Sequence, residues 1–159
     1  MIIIVIGIIL VIWVIFNKYR TNEKSIIFSY PNEKIEFAWE KVPMGDDYFF
    51  ISERFDKEFF INSYNVYQDI LYIKRSPLYI PEIEKELKEN SIPDDFKYLA
   101  VIESSLVNAV SPAGARGVWQ FMPATAKEKG MEVSDEVDER YHLEKSTEAA
   151  CKYLLVAKE

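Results

Sequence analysis

From Ser52 onwards the apolar residues recur at the spacing of a helix, and no run alternates at the period of a half-buried strand. That periodicity limits the chain to a mainly α architecture. Phe55, Phe59, Tyr64, Tyr67, Leu71 and Ile73 predict one or two helices ending near Arg75-Ser76-Pro77. Pro81 then suits a first helical position, with Ile83 and Leu87 on one face of a short amphipathic helix closed by Asn90-Ser91. A further helix is expected from Pro93 to about Val107, a short one from Pro123 to Lys129 ended by Gly130, and a last one capped by Ser146 and running through Leu155. Thr21 to Asp47 is polar with scattered aromatics and reads as a linker closed by the turn Gly45-Asp46-Asp47.

Residues 2–16 form an uncharged apolar run. As a helix it would measure roughly 22 Å, short of the ~30 Å hydrocarbon core. It suits either a short membrane anchor or the core of a signal peptide. No small-x-small pattern follows it, which favours the anchor. The flanking cations Lys18, Arg20 and Lys24 all follow the run, an arrangement that by itself would hold the remainder of the chain in the cytoplasm. The expected organisation is an anchor over 1–20, a linker over 21–51, a helical lead-in over 52–90 and a core domain over 91–159.

The net charge of −7 argues against a nucleic-acid-binding face. Cys151 is the single cysteine, so no intramolecular disulfide forms, and its apolar helical surroundings make it a small core residue. No metal-ligand spacing and no phosphate-binding loop occurs, so neither a metal nor a cofactor is expected.

One carboxylate breaks the pattern. With Phe96 at zero and about 100° per residue, Leu99, Ala100, Leu106 and Val107 fall within roughly 80° of it, and Glu103 lies about 20° away. Asp94, Lys97 and Ser105 occupy the other side. Glu103 therefore sits in the middle of an apolar stripe, where a carboxylate is costly unless it is paired, protonated or lining a cleft. Desolvation raises its pKa and keeps it protonated, as a general acid requires. Pairing with backbone or with Arg116 is the structural alternative.

Eight residues further on begins Ser111-Pro112-Ala113-Gly114-Ala115-Arg116-Gly117-Val118-Trp119-Gln120-Phe121-Met122-Pro123. Its two glycines permit positive φ and close approach of a ligand to the backbone. The amide, aromatic and thioether groups that follow suit a groove for acetamido groups and sugar faces.

Together, Glu103-Ser104 and Ser111 to Pro123 resemble the catalytic core of lytic transglycosylases with the goose-type lysozyme-like (SLT) fold. Trp119-Gln120-Phe121-Met122, Asp138-Glu139-Arg140-Tyr141 and Ser146 to Leu154 resemble its membrane-bound type D subgroup. The resemblance implies an enzyme that cleaves the bond between N-acetylmuramic acid and N-acetylglucosamine in peptidoglycan without water. Glu103 would be the acid and then the base. Ser111 and Gln120 would contact the sugar, Met122 would line the groove, Gly117 would let the glycan approach the backbone, and Ser104 would support the helix beside Glu103. It also implies a bacterial or phage-like setting, with a membrane-anchored domain in the periplasm or otherwise outside the cytoplasmic membrane. That family continues into a helix carrying Ala-Tyr-Asn. No such motif occurs before Glu159, so the core is expected to be incomplete at its C-terminus. The rival readings are a lysozyme-type hydrolase using a second carboxylate from Asp135, Glu136, Asp138, Glu139 or Glu144, and a non-catalytic peptidoglycan-binding module.

Overall fold

The computed structural model describes residues 35–157, and the membrane segment expected over 2–16 lies outside them. Among the described residues no helix is long and apolar enough to cross a membrane. The fold is mainly α, as the periodicity requires. The chain divides into two compact units, one up to Ile70 and one from Leu71.

In the first unit a small antiparallel hairpin, β1 (Glu36–Phe37) and β2 (Glu40–Lys41), precedes helix α1 (Phe49–Ser63). The hairpin was not legible because its turn residues Ala38 and Trp39 both adopt positive φ without the Asn or Gly that usually marks such a turn. Val42 N–H donates to the Ile35 carbonyl at 2.9 Å and closes it. Phe55 and Phe59, four apart on α1, stack with ring centroids 6.0 Å apart and bury against Ile35.

Helix α2 runs unbroken from Val66 to Glu89 with Pro77 and Pro81 inside it. The expected break at Arg75-Ser76-Pro77 is therefore absent. Pro77 cannot donate to the Ile73 carbonyl, and Ser76 Oγ donates to that carbonyl instead, at 3.2 Å. Beyond Pro81, Ile83 and Leu87 are fully buried.

The next helix is shorter than its apolar pattern. A 3-10 turn over Asp94–Phe96 leads into α3 (Lys97–Ser104), and Ser105 and Leu106 both turn to positive φ. For a leucine that conformation costs about 1–2 kcal/mol. Full burial of the same side chain returns roughly 1.5–3 kcal/mol, so the core contact wins and the helix stops. Arg75 Nη1 donates to the Ser105 carbonyl at 2.9 Å and satisfies one carbonyl of that end.

Helix α4 (Pro123–Glu128) begins on its proline, as expected, and Gly130 follows it at φ +94°. Helix α5 (Leu143–Ala157) starts earlier than the sequence suggests. Ser146 lies within its first turn and donates back to the Leu143 carbonyl at 3.1 Å, while Lys145 N–H faces His142 Nδ1 at 3.4 Å. Cys151 on α5 is wholly buried, and burial pushes its thiol up to about 11, consistent with a core residue.

Candidate active site

Glu103 occupies the last turn of α3, one residue before its end. It stands on the wall of a cleft of about 290 Å³. Leu99 lines the cleft from the same helix, Trp119, Gln120, Phe121 and Met122 from the loop after it, and Thr125 from α4. Ala150, Tyr153 and Leu154 complete it from α5. Glu103 is the single carboxylate on this lining.

The Glu103 side chain is exposed through the open mouth of the cleft. The apolar wall behind it still withdraws enough water to push its carboxyl above the usual glutamate range, and burial is the sole cause. Among the described residues no donor pairs with it. Arg116, the alternative partner, instead donates from Nη1 to Asp138 Oδ2 at 3.0 Å. Of the three ways to tolerate a carboxylate in an apolar stripe, the fold uses the cleft.

The loop opposite is built from backbone. Ser111 N–H donates to the Ala115 carbonyl at 2.9 Å, Gly114 N–H to the Ser111 carbonyl at 2.9 Å, and Ala115 N–H to Ser111 Oγ at 3.0 Å. Arg116 then pairs as an antiparallel bridge with both Val110 and Phe121. Gly117, at φ +81°, donates to the Ala109 carbonyl at 3.1 Å. Gln120 is also at positive φ, and its Nε2 donates to the carbonyls of Gly117 at 2.8 Å and Ala109 at 3.1 Å. With the amide nitrogen committed to two acceptors, the orientation of the amide is set, and Oε1 remains an acceptor with no donor among the described residues.

The residues singled out in the sequence thus separate. Glu103, Gln120 and Met122 share the cleft. Ser104, Ser111 and Gly117 do not line it. Ser104 Oγ donates to the Ala100 carbonyl at 3.0 Å, and Ser111 Oγ closes its own turn. Tyr153, Leu154 and Ala150 join the site from α5, a helix that carried the resemblance in the sequence but to which no site role was assigned.

The acidic segment after the loop has other duties. Asp138 accepts from Arg140 Nε at 2.8 Å and Nη2 at 2.7 Å, and these bonds hold its carboxyl below the usual range. Glu139 pairs with Lys145. None of Asp135, Glu136, Asp138, Glu139 or Glu144 lines the cleft. Glu82, Glu86 and Glu144 bring carboxylate oxygens within 4.8 Å of one another, away from the cleft, and Lys85 approaches Glu82 at 3.3 Å and Glu86 at 3.7 Å.

Residues 81–157, which contain the entire cleft, match the family model of the Transglycosylase SLT domain. Over 77 residues, 48% of this chain, the sequence is 31% identical to the membrane-bound lytic murein transglycosylase D of Escherichia coli (strain K12). The protein of that name from Escherichia coli O6:H1 matches to the same extent, and the chain spans 17% of the length of each relative. No solved structure matches.

Proposed function

Taking the Transglycosylase SLT match over 81–157 as the premise, we propose that this chain is a peptidoglycan lytic transglycosylase with Glu103 as its catalytic residue. The observation that carries the proposal is an unpaired glutamate on the wall of a largely apolar cleft, its carboxyl raised by burial alone. A carboxyl so placed holds its proton to higher pH than a solvated glutamate, as a general acid requires.

Glu103 protonates the glycosidic oxygen between N-acetylmuramic acid and N-acetylglucosamine, and the C1–O bond of the muramyl residue breaks. The carbonyl oxygen of the muramyl acetamido group closes on C1 from the substrate side. Ionised Glu103 then takes the proton of the C6 hydroxyl, whose oxygen displaces the acetamido oxygen from C1. The product is a 1,6-anhydromuramyl end, Glu103 returns protonated, and no water is consumed. Gln120 Oε1 suits the N–H of an acetamido group, and Met122 suits the apolar face of a sugar ring. The single carboxylate on the lining favours this route over the two-carboxylate hydrolysis of most glycosidases. No metal or cofactor enters the scheme.

The arrangement proposed for the helices is lysozyme-like. The apolar run over 2–16 is proposed as a membrane anchor that holds the domain outside the cytoplasmic membrane, beside its glycan strands. A topology reporter fused after Glu159 tests this placement, and a cytoplasmic signal would overturn the location outside the membrane and with it the wall-lytic role. The activity is tested by incubating the chain with purified peptidoglycan and reading the released muropeptides by mass spectrometry. Anhydromuramyl ends that vanish in Glu103→Gln support the proposal. Reducing ends would indicate a lysozyme-type hydrolase. Glycan binding without products, unchanged in Glu103→Gln, would indicate a binding module.

A further inference from the structure

Arg140 is 3% exposed, and its guanidinium uses its fork in three directions. Nε and Nη2 hold Asp138 at 2.8 and 2.7 Å, while Nη1 donates to the Gly114 carbonyl and the Phe121 carbonyl, both at 3.1 Å. Gly114 and Phe121 bracket the segment that carries Gln120, and Phe121 lines the cleft itself. Asp138 is tied in turn to Arg116 of the same segment at 3.0 Å. One buried cation thereby fastens both ends of the cleft's loop wall to the segment that precedes α5.

We propose that Arg140 is a positioning residue that holds the Gly114–Phe121 loop wall at its working distance from Glu103, so that substrate affinity depends on a side chain that touches no substrate. The proposal rests on the functional reading above for its consequence, but the clamp itself is independent of what the cleft binds. Glu103 belongs to α3 and has no hydrogen bond to this network. Loosening the clamp therefore displaces Gln120 and Phe121 while leaving the acid and its surroundings on α3 in place. Lysine cannot reproduce the arrangement, because a single ammonium lacks the planar fork that serves a carboxylate and two carbonyls at once.

The test is Arg140→Lys in the full chain, read by amide hydrogen exchange and by kinetics on soluble, uncrosslinked peptidoglycan oligomers. Exchange over 114–122 accelerates while 97–104 keeps its wild-type rates. KM rises by about tenfold, kcat stays within about threefold, and the pH at which kcat/KM declines does not move. A lowered melting temperature with unchanged KM and unchanged loop exchange would overturn the proposal, as would a loss confined to kcat. If Arg140→Lys does not fold, Asp138→Asn removes one charged acceptor from the fork and must show the same faster exchange and weaker binding. Wild-type behaviour in a folded Asp138→Asn would overturn it equally. If the wild-type chain releases nothing from peptidoglycan, the functional reading fails, and the exchange comparison alone decides the clamp.

Discussion

The carbonyl oxygen of Arg140 stands 1.8 Å from the point where a Cβ on Gly117 would lie. That is a backbone atom, so no side-chain rotation relieves the clash. Gly117 also holds φ +81°, which adds a second penalty for any other residue. Gly117→Ala is expected to cost about 3 kcal/mol or more, from strained φ and overpacking together. Urea denaturation of the variant reads this directly. A loss under about 1 kcal/mol would mean that the loop shifts away from Arg140 easily.

Glu103→Gln separates chemistry from fold. An amide cannot deliver the proton, and loss of a general acid reduces turnover by about 10²–10⁴-fold. Stability should be unchanged or slightly higher, because the variant removes a group whose charged form the apolar wall disfavours. Muropeptide release and a thermal melt, measured on one preparation, check both halves.

The pH dependence follows from the same carboxyl. Its folded pKa is raised, so the folded state disfavours the charged form. Below the ordinary glutamate value the group is protonated in both states and contributes no penalty. The penalty appears as pH rises past that value and is complete above the raised one. Activity needs the protonated form, so kcat/KM should fall as pH rises through the raised value. A pH–rate profile in which kcat/KM instead climbs across that range would remove Glu103 from the role of acid.

Much of this arrangement was legible where one residue carried the whole signal. Glu103 stood out because a period of 3.6 residues placed it among Phe96, Leu99 and Ala100, and Pro123 marked the start of α4. What escaped was decided by contacts that helical periodicity does not encode. The unbroken α2 depends on Ser76 covering the carbonyl that Pro77 leaves open, a local substitution that periodicity does not encode. The stop after Ser104 depends on burying Leu106, against its backbone preference. In the candidate site, the resemblance implies a sugar contact for Ser111, yet its hydroxyl accepts from Ala115 N–H within its own turn. Arg140 belonged to a run that carried the resemblance, but its role was not legible, since its partners at Gly114 and Phe121 are 26 and 19 residues away.

Trp119 gives a test of how the cleft is anchored to α5. Its Nε1 donates to Thr147 Oγ1 at 2.9 Å, and that hydroxyl donates onward to the Leu143 carbonyl at 2.7 Å. Trp119→Phe removes the donor but leaves Thr147 a partner, so no buried hydroxyl is orphaned. The expected cost is about 1–2 kcal/mol, a lost hydrogen bond plus the gap left by the smaller ring. Trp119→Phe combined with Thr147→Val should cost less than the two single changes summed. A double-mutant cycle by denaturant unfolding reads the coupling, and zero coupling would exclude the bond in solution.

Asp138 ties part of the fold's stability to pH. Arg140, and after it Arg116, hold the carboxyl below its ordinary value of 3.8. A depressed acid contributes stability that is complete above the unfolded value and is lost as pH falls through the folded one. Asp138→Asn leaves the Arg140 charge buried without a counterion, a loss of about 3 kcal/mol at pH 7. At a pH low enough to protonate the wild-type carboxyl, the gap between the two proteins should narrow. Unfolding curves at the two pH values decide it. A gap that stays constant would assign the loss to packing around Asp138 and not to its charge.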